Sequence, residues 1–349
     1  SAGYTGLRVD SLRGGARPQT GSGDLPPRFV TQPVGGVRLV GETITLSVLA
    51  DGTAPLSYRW SRNGQELEGR TQASLTFNPI SAADAGTYVV NVRNNAGNTN
   101  SAPVVITVLD RVPGVFSTGV NASGAVLEDG LEDPHYQLTT NPNNPEVTVP
   151  VVHDSTIFPI VTGPWLANTA LSKWISPEFN TVGSAGGDYV YRTSFDLTGF
   201  DPASAVILGG WATDNAGTGI RLNGQATGLE NSAQFGVLTP FTVTTGFNPG
   251  INTLEFLVNN SALGYTALRV ENLRVGANRA SASPSLQISP AASGVRIAWP
   301  KSAAGFRLTG SGSLAGEYLD VNAPVVEDGE SNTVTLEAAA AAQFYRLTR

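Results

Sequence analysis

SAADAGTYVVNVRNNAG, residues 81–97, decides the reading of this chain. An acidic-glycine turn, Asp84-Ala85-Gly86-Thr87, delivers Tyr88 to the start of a β-rich run. A tyrosine so placed sends its hydroxyl back to backbone a few residues upstream, here near Asp84, and fixes the corner between two sheets. The Asn- and Gly-rich end of the stretch reads as a hairpin turn.

The flanking runs carry the period of strands. In ETITLSVLA, residues 42–50, Ile44, Leu46 and Val48 share one face and Thr43, Thr45 and Ser47 the other, the pattern of a half-buried strand. PLSYRWSRNGQEL, residues 55–67, sets Tyr58 and Trp60 on one face before Asn63-Gly64, the pair best able to adopt the positive φ angles of a two-residue hairpin. ASLTFNPI, residues 73–80, alternates again, and Val104, Ile106 and Val108 line one face of a last strand. Residues 28–110 therefore resemble an intermediate-type immunoglobulin domain. The resemblance implies an inter-sheet cystine at positions held here by Val48, twelve residues before Trp60, and by Val90, two after Tyr88. Two buried valines contribute roughly 1.5–3 kcal/mol each, against roughly 2–4 kcal/mol for a disulfide, so the sandwich is expected to stand without the bridge.

Pro113 is expected to punctuate a linker. Beyond it, residues 112–278 break into short strands bounded by Gly, Asn, Asp or Pro, with no helical period. WATDNAGTGIRLNG (211–224), GINTLEFLVNN (250–260) and TALRVENLRV (266–275) resemble the galactose-binding-like jelly rolls found as accessory modules in large secreted bacterial proteins. Residues 283–349 read as a small β-domain anchored by Trp299 and Phe306, similar to the domain that ends many such surface proteins. So short a segment makes a marginal core and is expected to lean on the jelly roll. The fold class expected is all-β: tandem β-sandwiches, Ig-like and then jelly roll, with a small C-terminal β-domain.

GYTGLRVDSLRGGA, residues 3–16, repeats GYTALRVENLRVGA, residues 264–277, at ten of fourteen positions. The later copy completes the jelly roll, which leaves residues 1–16 as the remnant of an upstream domain or as a donor strand that adds to a sheet edge of a neighbouring molecule. Leu7, Val9 and Leu12 form its apolar side, Leu12 across a bulge, and residues 17–27 form a linker. A head-to-tail contact of this kind does not close and generates a filament.

Acidic residues outnumber basic ones 28 to 21, for a net charge of −7, and no basic cluster stands out to track a phosphate backbone; nucleic acid is not an expected partner. With Cys 0, neither disulfides nor thiolate-ligated zinc is available, which is compatible with secretion. With Met 0, Ser1 is not expected to be a translation start. No apolar run reaches the length that spans a bilayer, so membrane insertion is not expected, and the localisation expected is extracellular or cell-surface.

Catalysis is not expected: the chain has two histidines and no G-x-S-x-G elbow, H-E-x-x-H motif or phosphate-cradling loop. His135 and His153 each have a carboxylate nearby in sequence, which suits a general base and equally a locally hydrogen-bonded loop residue. LEDGLEDP, residues 127–134, gathers Glu128, Asp129, Glu132 and Asp133. Asp129, Glu132 and Asp133, with Asp214 elsewhere in the module, are candidate ligands for Ca²⁺, which takes six to eight oxygens; solvated turns are the alternative. Tyr136, Trp165, Trp174 and Trp211, with Arg192 and Asn215, offer flat aromatic faces beside hydrogen-bonding groups, as sugar recognition requires; core packing explains the same rings. The function expected is an extracellular structural or adhesive protein of the bacterial surface that self-associates into a polymer. The alternative is a carbohydrate-binding accessory region of a larger secreted enzyme, with surface glycans as partners.

Overall fold

The computed structural model describes residues 23–180, 182–280, 285–301, 305–337 and 342–348. Leu7, Val9 and Leu12 of the repeated strand lie outside the described residues, as do residues 17–22 of the expected linker.

The first sandwich is built from β1 (Arg28–Thr31), β2 (Gly36–Leu39), β3 (Ile44–Ser47), β4 (Leu49–Asp51), β5 (Ser57–Arg62), β6 (Gln65–Glu66), β7 (Ser74–Phe77), β8 (Gly86–Asn94), β9 (Gly97–Asn100) and β10 (Val104–Arg111). β1 pairs with β4 and β3 with β7 on one side; β6, β5, β8 and β10 form the other, with β9 on β8 and β2 parallel to β10. The alternating positions deliver Leu46, Val48, Trp60, Leu75, Tyr88, Val90, Ile106 and Val108 to one core. Val48 and Val90 thus fill the space between the sheets with methyl groups. Tyr88 is fully buried, and its hydroxyl donates to the Asp84 carbonyl at 2.6 Å. The Asp84 carboxylate holds the same corner from the other side, accepting from the backbone N–H and hydroxyl of Ser81 at 2.8 and 2.7 Å. Asn63 and Gly64 adopt φ of 51° and 81°, the left-handed pair that the hairpin demands.

The second sandwich comprises β11 (Gln137–Thr140), β12 (Val151–Val152), β13 (Ile175–Ser176), β14 (Gly187–Asp196), β15 (Val206–Asp214), β16 (Ala216–Leu222), β17 (Gln225–Ala226), β18 (Thr239–Val243), β19 (Ile251–Asn260) and β20 (Ala267–Ala277). Order β12-β13-β20-β15-β18 makes one sheet and β11-β14-β19-β16-β17 the other. Their inner faces enclose a core that includes Tyr189, Tyr191, Trp211, Phe241, Phe256 and Val270. Arg269 on β20 is 1% exposed, yet it is satisfied: it donates to Ser172 Oγ at 2.8 Å and to Glu271 Oε2 at 2.7 Å. A buried guanidinium left unpaired is costly, so these partners fix where β20 meets the loop over it.

The C-terminal unit, residues 280–349, has β21 (Gln287–Ala291), β22 (Gly294–Pro300), β23 (Arg307–Ser311), β24 (Leu319–Asp320), β25 (Val326–Asp328), β26 (Ser331–Leu336) and β27 (Phe344–Thr348). Sheets β21-β22-β26-β25 and β24-β23-β27 enclose Ile297, Trp299, Leu308 and Val334, with Phe306 half-buried against them. The chain is all-β, and among the described residues no helix is long and apolar enough to cross a membrane.

The expected linker at Pro113 is corrected by the structure. Asp110 and Arg111 at the end of β10 pair directly with Ala277 and Gly276 of β20, and Val112 is already buried in the second core. Leu109, on the face of β10 opposite Ile106 and Val108, is 3% exposed because Leu39 and Val206 close over it. Glu42 adds ion pairs to Arg111 at 3.5 Å and to Arg274 at 3.2 Å. A β-carbon on Gly276 would stand 2.2 Å from Leu39 Cδ2 and 3.0 Å from Leu109 Cβ, so glycine is what lets the two sandwiches close.

Two outcomes are expected. Tyr88→Phe removes one hydrogen bond and costs about 1 kcal/mol in denaturant unfolding of the first sandwich, with the m-value unchanged. Gly276→Val overpacks the junction, costs about 1–3 kcal/mol, and separates the melting of the two sandwiches in calorimetry; unaltered co-operative melting would show that the junction is not the coupling element.

Candidate functional site

β15 ends at Asp214, which lies beside residues 158–165 and 260–265. Trp165 is held there by its backbone N–H, which donates to the Pro159 carbonyl at 3.1 Å. Its indole packs on Trp174, with ring centroids 4.5 Å apart, and lies edge to face with Tyr265 at 6.2 Å. Phe158 in turn sits 5.5 Å from Tyr265, edge on, and remains 49% exposed at the rim. The indole N–H of Trp165 donates to Asp214 Oδ2 at 2.7 Å, and the side-chain amide of Asn215 donates to Oδ1 at 2.6 Å. Asn215 Oδ1 then accepts from the backbone N–H and hydroxyl of Ser261 at 3.0 and 3.2 Å.

Between these groups lies a pocket of about 250 Å³ whose lining contains Asp214 and no Lys, Arg or His. Asp214 is 6% exposed. Burial pushes its carboxyl up to about 6, against the hydrogen bond from Trp165 that favours the charged form. Trp165 and Asn215 are both neutral donors, so the ionised group has hydrogen bonds but no counter-charge among the described residues.

Of the residues singled out in the sequence, Trp165, Asp214 and Asn215 meet in this pocket, and Trp174 backs it. The indoles of Trp165, Trp174 and Trp211 are nevertheless buried, as is Tyr136, so none offers an open flat face to a sugar. Trp211 packs inward against Phe256, and the Tyr136 hydroxyl donates to the Phe116 carbonyl at 3.1 Å. Arg192 lies on the outer face of the other sheet, where it holds Glu255 through Nε at 2.9 Å and Nη2 at 2.6 Å.

The acidic stretch does not assemble as the expected calcium site. Asp129 pairs with Lys173 Nζ at 3.1 Å and accepts from Ser155; burial alone would raise its carboxyl, but these donors outweigh it and hold it low. Asp133 is buried and accepts from the backbone N–H of Gly119 at 2.6 Å and of His135 at 2.8 Å, while burial raises it. Glu132 points to solvent, and Asp214 belongs to the separate pocket. Asp129 and Asp133 are spoken for by protein donors, one of them an ammonium, and among the described residues no group of three or more His, Asp or Glu is placed to hold a metal ion. His135 stacks on Phe116 at 3.7 Å between centroids. His153 is buried, with Nδ1 3.1 Å from the Asp154 carbonyl, and burial lowers its pKa. Sequence reasoning missed Phe158, Ser261 and Tyr265: they come from loops without periodicity, and only the folded loops bring them to Asp214.

Residues 26–94 match the family model described as Immunoglobulin domain. Among curated proteins, Protein sidekick-2 of Mus musculus is 37% identical over 79 residues, which cover 21% of this chain and 4% of that protein. The Decoration protein of Escherichia phage T5 is 36% identical over 76 residues, covering 21% of this chain and 46% of that protein. This chain therefore spans only a minor part of the relatives it matches. Among solved structures, the complex of titin M10 with the obscurin-like 1 Ig F17R mutant aligns at 27% identity and a TM-score of 0.24, covering 25% of this chain and 97% of the other.

The raised carboxyl of Asp214 makes folding stability depend on pH. The folded state holds this proton more tightly than the unfolded chain, so the group's contribution is most favourable below about pH 4 and is lost as pH rises through about 6. The loss is on the order of 2 kcal/mol once residual solvent contact is discounted. Melting measured from pH 4 to 7 is expected to show a falling limb that Asp214→Asn flattens; identical limbs in the two proteins would mean that Asp214 titrates normally.

Proposed function

We propose that this is a non-enzymatic structural or adhesive protein of the cell exterior, in which an immunoglobulin-like domain and a galactose-binding-like sandwich act as one stiff unit. The observation that carries this reading is the junction: β10 runs from the first sandwich onto β20 of the second, over Leu39, Leu109 and Val206. A flexible tether suits independent binding modules, whereas a sealed joint holds a fixed geometry under load. The immunoglobulin match supports the reading, as does the 36% identity over 76 residues to a phage protein named for decoration. Cell-surface location, like the bacterial source, belongs to this proposal.

Polymerisation through residues 1–16 belongs to it as well. Leu7, Val9 and Leu12 repeat Leu268, Val270 and Leu273, three residues of the second core, so the segment carries the apolar side chains that a sheet accepts. A second reading, a carbohydrate-binding accessory region, is favoured by the pocket beside Asp214. Sedimentation and electron microscopy test the first reading. The full chain is expected to form long oligomers, and deletion of residues 1–16 to return monomers with both sandwiches folded; a full chain that stays monomeric at high concentration rejects assembly through this strand.

A further inference from the structure

We propose that the Asp214 pocket binds a hexosamine with a free amino group, its ammonium seated on the Asp214 carboxylate. The inference rests on the carbohydrate-binding reading of the second sandwich and adds the chemical class. The carboxylate itself comes first. The carboxylate is nearly buried and takes its hydrogen bonds from an indole and an amide, both neutral. A carboxylate offers about four lone-pair sites, so acceptor capacity remains for N–H donors. A buried charge without a counter-charge is expensive, and a ligand cation removes that cost on binding.

The walls have the matching chemistry. Phe158, Phe235 and Tyr265 line the pocket beside the buried Trp165, and aromatic rings attract cations held near their faces. At the mouth, the exposed Phe158 stands with the polar Asn215 and Ser261, the pairing that takes the C–H face and the hydroxyls of a sugar ring. A pocket of about 250 Å³ has volume for one such ring and more than the tail of a lysine side chain fills, which favours an amino sugar over a protein ligand.

Isothermal titration of the full chain at pH 7.5 and low salt, with glucosamine, N-acetylglucosamine, glucose and lysine amide, tests the assignment. Glucosamine is expected to bind at least tenfold more tightly than the other three, and Asp214→Asn to abolish that preference. Phe158→Ala, at an exposed rim residue, is expected to weaken glucosamine severalfold with thermal melting unchanged, and it keeps the test in force if Asp214→Asn does not fold. Sugars that bind without preference for the free amine overturn the ammonium assignment and leave the carbohydrate reading standing. Binding by no sugar overturns both, and lysine amide binding as tightly as glucosamine overturns the sugar in favour of a protein ligand.

Discussion

The close approach of Gly276 to Leu39 and Leu109 is the constraint on which the first two modules jointly depend. β10 belongs to the first sandwich through β8 and β2 and to the second through β20, so its two faces serve two cores. Ile106 and Val108 turn inward to Trp60 and Tyr88, while Leu109 turns outward beneath Leu39 and Val206. Burial of three such side chains contributes roughly 1.5–3 kcal/mol apiece, of the same order as the conformational entropy lost when a short connection is ordered. Without a side chain at Gly276 the strands can reach pairing distance; with one, either the leucines or the ladder must move.

Within the second sandwich, buried polar groups decide where loops sit. Arg269 and Glu271 lie on β20 and capture Ser172 and Thr169 from the loop that crosses it, with Glu271 accepting from both hydroxyls. Burial alone would raise Glu271, but these donors and the guanidinium outweigh it and keep it ionised. Asp129 is settled in a like manner by Ser155 and Lys173. Asp214 has neutral donors and a carboxyl held high, as Asp133 has, and differs in lining a pocket. That difference separates carboxylates that organise the fold from one with capacity left for a ligand.

Most of the first sandwich was legible in the linear chain. The alternation in residues 42–50, the Asn63-Gly64 turn and the Asp84 to Tyr88 corner are local patterns, each with a local physical cause: the two-residue period of a pleated strand, the tolerance of left-handed φ, and one hydroxyl bonded four residues upstream. The absence of cysteine was likewise readable as a core closed by Val48 and Val90. In the second sandwich the longer strands from residue 187 onward were readable but the placing of the aromatic residues was not, because an indole in a core and an indole on a binding face leave the same mark on a sequence.

Local pattern was enough to read an all-β chain, the longer strands and the hairpin and corner turns of the first sandwich, and one stretch written twice. Folding brings together what the linear chain leaves apart: Pro113 begins no linker, Leu109 is buried on the face its alternation would leave in water, and Asp129 and Asp133 meet Lys173, Ser155 and backbone donors. It also decided that Trp165, Asp214, Ser261 and Tyr265 share one pocket. The physical reason is range: strand period and turn geometry act over a few residues, whereas burial, ion pairing and pocket formation depend on which distant segments are packed against one another.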